Sequence, residues 1–172
     1  MQKYIFYAGN SKDIKPIKKK LWDDYSLKIW KPKIYKMSPK GLFSIPFLAY
    51  WACHYLKLFK NSFYSIYLIY YNNEIVHYSV LLPKFLKTPF MKNDDLQIGP
   101  IGTKKEHRRK GLAAYAIQEI IKSYRNPNKK IWYLTRKENI ISGKVIEKFG
   151  FKAYGEGTRK GKFGIFDIEK KY

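Results

Sequence analysis

The chain carries a single cysteine, Cys53, in 172 residues. That excludes an intramolecular disulfide framework and any cysteine-rich zinc site, and no metal is expected. Carboxylates are scarce too: 13 Asp and Glu stand against 35 Lys and Arg, a formal charge of +22. A pocket for a polycationic ligand is hard to assemble from so few acids. No stretch approaches the ~18 consecutive apolar residues of a membrane-spanning helix. The first residues, Met1-Gln2-Lys3-Tyr4-Ile5, lack the long apolar segment and small-residue cleavage site of a secretory leader, so a cytoplasmic location is expected. Internal repeats and low-complexity tails are also missing.

What is present is a core. Hydrophobic residues make up 45% and aromatics 18% of the chain, enough for one folded domain spanning 1–172. The lysines are spread through every segment instead of gathered into an arm. Lys, Ile, Tyr and Asn are all abundant, as AT-rich coding produces, so the charge is read as bias and solubility rather than nucleic-acid binding.

The first forty residues are broken by Pro16, Pro32 and Pro39. Tyr4 to Tyr7 reads as a short strand, and Lys12 to Ser26 has helix-like spacing around Leu21, Trp22 and Tyr25. Ser44-Ile45-Pro46 is a helix entry with Ser44 as cap, followed by a stripe of Phe47, Leu48, Trp51, Tyr55, Leu58 and Phe59. Phe63 to Tyr71 suits a strand covered on both faces, and Asn72-Asn73 a tight hairpin into Glu74 to Leu82. There Ile75, His77, Ser79 and Leu81 should share a face. His77 then points from the sheet interior, as a hydrogen-bonded structural histidine or as a catalytic one.

A basic, aromatic loop from Lys84 to Asn93 precedes a strand from Asp95 to Thr103, in which Gly99-Pro100 marks a bulge, bend or open edge. Lys110 to Tyr124 reads as a helix with Ala113, Ile117, Ile120, Ile121 and Tyr124 on one face, stopped at Asn126-Pro127-Asn128. Lys130 to Thr135 is a strand. Asn139 to Phe149 is a helix with Ile141, Val145 and Phe149 in its stripe, closed by Gly150. A hairpin follows, Phe151 to Gly155 and Phe163 to Ile168, around Gly157–Gly161. The order predicts an α/β (α+β) fold: a mixed, mainly antiparallel twisted sheet, a central parallel pair, and helices on both faces.

The strongest functional signal lies where strand passes into helix, at Arg108-Arg109-Lys110-Gly111-Leu112-Ala113. Amides at a helix start have no partner inside it, and the helix dipole adds partial positive charge. With basic side chains around them, such amides suit a phosphate or pyrophosphate. A second block follows at fixed spacing: Asn139, Ser142, Val145, then Glu147-Lys148-Phe149-Gly150-Phe151.

Together, in this order, the two blocks resemble those of the GNAT superfamily of acyl-CoA-dependent N-acetyltransferases. The resemblance covers residues 62–169 and leaves 1–61, which in this family shape the acceptor side. It implies acetyl-CoA as co-substrate. The amides of Arg109, Lys110, Gly111, Leu112 and Ala113 would receive the pyrophosphate, with charge from Arg108 and Lys110. The backbone of Ile101, Gly102 and Thr103 would pair with the pantetheine arm, and the amide of Ile101 or Thr103 would polarise the thioester carbonyl. Asn139 stands where relatives contact the cofactor arm. Family members are often homodimers.

The resemblance is less complete for proton transfer. Gln97 stands where some relatives carry a glutamate base; it can hold a water or orient a substrate. Asp95, His77 or Glu74 could serve as base instead. Ile146 stands where many relatives have a tyrosine acid, so either the thiolate leaves unaided or another tyrosine, such as Tyr133, takes over. The acceptor implied is a small-molecule amine, not polycationic, for which a nucleotide-linked amino sugar matches the basic surface. The alternatives are a CoA-binding regulatory module without turnover, and an acyltransferase acting on protein or near nucleic acid.

Overall fold

A computed structural model describes residues 2–10, 13–15, 17–42, 44–124, 128–161 and 164–172. One eight-stranded sheet organises them, in the order β2-β3-β4-β5-β6-β1-β7-β8. Its strands are β1 (Lys3–Asn10), β2 (Tyr25–Trp30), β3 (Ser65–Tyr71), β4 (Glu74–Pro83), β5 (Leu96–Thr103), β6 (Lys130–Arg136), β7 (Lys152–Lys160) and β8 (Ile165–Lys171). The helices are α1 (Ile45–Tyr55), α2 (Leu112–Ser123) and α3 (Ile140–Glu147). Only β5 and β6 run parallel among the described strands, and every other pair is antiparallel. The expected mixed sheet with a central parallel pair is what the chain forms.

The two faces are covered differently. Leu112, Ala116, Ile117, Ile120 and Ile121 of α2, with Ile146 of α3, pack on Ile69, Leu81, Leu96, Ile98 and Ile131. Each buried Leu or Ile among them contributes about 1.5–3 kcal/mol by leaving water. On the opposite face Phe47 of α1 joins Tyr64, Ile66, Leu68, Val80, Leu82 and Phe85. Beside that cluster, Phe6, Met91 and Trp132 form a third. Helices therefore lie on both faces, as expected.

Several local expectations are corrected. The strand at Tyr4–Tyr7 is part of the longer β1, which sits inside the sheet, between β6 and β7. Phe6 and Tyr7 are buried on its two faces, as suits a strand covered from both sides. No helix forms among the described residues of 12–26; the apolar spacing there reflects Ile17, Leu21 and Tyr25 packing on α2's face of the sheet, ending in β2. Lys12 and Pro16 lie outside the described residues.

Helix α1 stops at Tyr55, since Lys57 turns left-handed at φ 55°. Ser44 is its cap by backbone alone, with no side-chain bond. Ile75 packs with the α1-side cluster, away from Leu81, because the β3–β4 register shifts between Ile69 and Tyr70. The last hairpin turns at Gly161 to Gly164, and β7 runs through Gly157. Asn126, Pro127 and Phe163 lie outside the described residues. Asn72 and Asn73 hold positive φ, the expected tight hairpin.

Candidate active site

Strand β5 makes the opening. It pairs with β6 only from Leu96 to Ile98, after which the two parallel strands separate. On its other edge the β4–β5 ladder jumps from Leu81↔Ile98 to Ser79↔Ile101, so Gly99 and Pro100 stand opposite Val80 alone. A bulge of one residue bends its strand and frees backbone from the ladder. Here the bend carries Ile101 to Thr103 away from β6.

The resulting cleft has a volume of ≈ 780 Å³. Its floor is backbone and side chain of Gly99, Pro100, Ile101 and Thr103, its far wall Tyr133 to Arg136 of β6, and its apolar sides Ile117 of α2 with Ile141 and Val145 of α3. Ile141 and Val145 were expected in a core stripe. Ile141 is exposed and lines the cleft, while Gly143 and Ile146 are α3's buried residues. Ala113 likewise leaves the buried stripe of α2 for the cleft wall.

At one end the cleft closes on the start of α2. Gly111 caps that helix in the left-handed conformation, φ 78°, which glycine adopts without steric cost. The first return bond comes from Tyr115 N–H to Gly111 O, 2.9 Å, so the amides from Gly111 through Ala114 have no partner within the helix. Arg108, Arg109, Gly111, Leu112 and Ala113 all border the cleft. The Arg108 Nε donates to Thr103 O at 3.2 Å, which ties the turn to the end of β5.

Lys110 points elsewhere: its ammonium donates to the Tyr25 hydroxyl at 3.1 Å and lies 6.0 Å over the Trp22 ring. Gly102 is also outside the lining. Tyr78 covers it so closely that a Cβ would meet the ring at 2.4 Å. Asn139 borders the cleft but is also the N-cap of α3, its Oδ1 accepting from Ser142 N–H at 3.2 Å.

Two residues at or beside the cleft carry no motif signal. Lys19 brings its ammonium to 3.6 Å from where a Cβ on Gly111 would stand. It is held there by the buried amide of Gln118, whose Oε1 accepts from Lys19 N–H at 2.9 Å and whose Nε2 donates to Lys19 O at 3.0 Å. Tyr4 of β1 reaches the far end of the cleft.

The candidate proton-transfer residues separate clearly. Asp95, 1% exposed, accepts from Lys92 N–H at 2.9 Å, Lys130 N–H at 3.1 Å and Trp132 Nε1 at 2.9 Å. Its carboxylate ties the 84–95 loop to β6, outside the cleft lining. Glu74 is exposed and ion-paired to Lys104 at 2.7 Å, which holds its carboxyl below the usual range. His77 is 1% exposed, with Nδ1 2.7 Å from Thr103 Oγ1 and Nε2 2.9 Å from Ser79 Oγ. Burial lowers its pKa to about 4, so the ring is neutral.

Gln97 points away from Leu96 and Ile98, onto the α1-side face between Leu82 and Trp132. It is 8% exposed, and its Oε1 is buried without a hydrogen-bond partner. Tyr133 lines the cleft itself. Burial pushes its phenol above the ordinary tyrosine value, while the Ser142 hydroxyl acts in the opposite direction. Directly across the ladder stands Tyr7 of β1. Among the described residues no group of His, Cys, Asp and Glu could hold a metal ion.

Known proteins give the same fold. The chain resembles the tandem GNAT protein of the clavulanic acid biosynthesis pathway at 11% identity and TM-score 0.63, covering 90% of this chain and 51% of that one. It resembles the ribosomal-protein-S18-alanine N-acetyltransferase of Escherichia coli at 13% identity and TM-score 0.54, covering 83% and 89%. A putative GNAT acetyltransferase of Novosphingobium aromaticivorans matches at 10% identity and TM-score 0.54, covering 90% and 61%. Against several solved structures the chain spans about half of their length. No curated protein matches it. The family model described as Acetyltransferase (GNAT) matches residues 20–151, a span that holds both the parted strands and the amide-lined helix start, and the chain belongs to that family.

Proposed function

We propose that the protein transfers an acetyl group from acetyl-CoA to the primary amine of a small molecule. The observation that carries this reading is the cleft between β5 and β6, which joins exposed strand backbone at one end to unpaired helix amides at the other. That shape suits a long thiol ester with a pyrophosphate. The residues fit the co-substrate. Amides of Gly111 to Ala113, with Arg109 and Lys19 beside them, would hold the two phosphates. Ile117, Ile141 and Val145 offer apolar contact to the arm, and the β5 backbone at Ile101 and Thr103 offers hydrogen bonds.

In the reaction the amine nitrogen attacks the thioester carbonyl carbon, the C–S bond breaks, and the proton lost by nitrogen must be balanced by one gained at sulfur. An amide N–H of the bulged strand, at Ile101 or Thr103, stabilises the oxyanion. Gln97 Oε1 lies on the sheet face opposite α2, where the strands begin to part, and would accept an N–H of the incoming amine. It orients the nucleophile and leaves the proton to water. Tyr133, held protonated by burial, would donate to the departing sulfur. Asp95 and His77 take no part in this scheme, since their polar atoms are already bonded.

The acceptor class follows from charge. With 13 acidic residues against 35 basic ones, an anionic amine such as a nucleotide-linked amino sugar is the better match. Thiol release from acetyl-CoA with a panel of amines tests this. Turnover with amino sugars bearing phosphate is expected, and a preference for polyamines would overturn the acceptor assignment. CoA binding with no turnover on any amine would favour a binding module instead.

A further inference from the structure

We infer that residues 17–20, strapped across α2, form with Lys122 a subsite for a second phosphate group of the acyl donor, the one on the ribose at its nucleotide end. The inference rests on the acetyl-CoA reading above. A concave site of ≈ 460 Å³ is lined by Lys18, Lys19, Lys20, Gln118 and Lys122. Two carboxylates lie at its margin, Glu119 at 2.7 Å from Lys122 and Asp23 at 4.0 Å from Lys20. Four ammonium groups against two carboxylates leave it net positive, and a concave wall of one sign concentrates an anion.

The strap has a fixed position. Gln118 is 2% exposed and spends both ends of its amide on the backbone of Lys19, as donor and as acceptor. A buried, doubly bonded amide reads as a clamp, because either bond lost would leave a buried polar group unsatisfied. Ile17 and Leu21 anchor the strap on either side by packing into the core beneath. The backbone between them is thereby held over one stretch of α2, with the Lys18, Lys19 and Lys20 side chains exposed above it.

Position relative to the cleft makes the assignment. Lys19 links the two places: its ammonium stands beside Gly111, which borders the cleft, and it lines the basic hollow. Along α2, Gly111 and Gln118 are seven residues apart, ~10 Å at the helical rise. They also fall on nearly the same side of the helix, as residues seven apart do. A ligand with its pyrophosphate at the helix start can thus lay its next phosphate into the hollow after one sugar. Lys suits such a task as a point charge that needs no fixed fork geometry.

The test compares binding, by calorimetry, of CoA and 3′-dephospho-CoA at low salt. The native protein is expected to bind CoA about tenfold or more tightly than the dephospho form, the loss expected when charge-assisted bonds go unmade. In Lys18→Gln/Lys20→Gln/Lys122→Gln the ratio should fall to near one. In a charge-matched control on the α1 side, Lys33→Gln/Lys36→Gln/Lys40→Gln, it should persist. Equal affinity of the native protein for both forms would overturn the subsite and leave the cleft reading intact. A ratio lost equally in the control would also overturn it, as general charge would then be the cause. Binding of neither form would remove both readings.

Discussion

His77 Nδ1 lies 2.7 Å from the hydroxyl of Thr103, joining β4 to the residue with which β5 leaves the cleft. The ring's other nitrogen bonds Ser79, so both are committed while the ring is neutral. Both hydroxyls can also accept, so protonation costs stability by placing a charge in a site 1% exposed. The folded pKa of about 4 lies below the ordinary 6.5, so the unfolded chain binds the proton first as pH falls. Stability from this group is complete above pH 6.5, declines by about 1.4 kcal/mol per pH unit below it, and levels off near pH 4. The total is on the order of 3 kcal/mol by the same linkage. Urea unfolding from pH 7 to pH 4 should show this slope in the native protein and a shallower one in His77→Gln. Identical slopes would mean that the imidazole does not titrate there.

Tyr133→Phe should lower kcat by roughly 100-fold, the lower end of what a positioned acid contributes. Because burial raises the phenol pKa, the native rate should hold to a higher pH than an ordinary tyrosine would allow. The variant should lack that alkaline limb. A Tyr133→Phe enzyme with native kcat and pH profile would show that the thiolate leaves unaided.

Gln97→Leu separates substrate contact from stability. The lone buried Oε1 costs the free protein about 1–3 kcal/mol if nothing bonds it. Its removal should leave thermal stability unchanged or slightly raised, while the KM for the amine rises. A clear fall in melting temperature with an unaltered KM would assign Gln97 to the core alone.

Gln118→Leu releases the strap. Two part-buried bonds to Lys19 are lost, which at about 1 kcal/mol each predicts a loss of roughly 2 kcal/mol in stability. Acetyl-CoA affinity should fall as well, although Gln118 touches no part of the cleft. Loss of stability with native affinity would mean that Lys19 finds the phosphate loop without the clamp.

Much of this was legible in the chain. The helix amides at Gly111 to Ala113, the bulge at Gly99-Pro100, the Asn72-Asn73 turn and the parallel pair all follow from local sequence, because turns, caps and periodicity are local effects. Strand β1 is legible but not its place, since insertion between β6 and β7 depends on pairing across 120 residues or more. The strap at 17–20 carried no signal of its own. Its apolar spacing imitates a helix, and its role comes from Gln118, 99 residues away. Ile141 misled for a related reason: at helical spacing an apolar residue facing a cleft looks the same as one facing a core.

Calorimetric titration of acetyl-CoA into the native protein and into Gly111→Glu asks whether the phosphates sit at the start of α2. A carboxylate at the helix start repels phosphate, and a side chain at φ 78° adds strain of ~1 kcal/mol, small enough for the fold to survive, as circular dichroism can verify. Binding by the native protein is expected, with none detectable in the folded variant. Equal affinity in the two would contradict that placement, because the phosphates would then lie somewhere other than the start of α2.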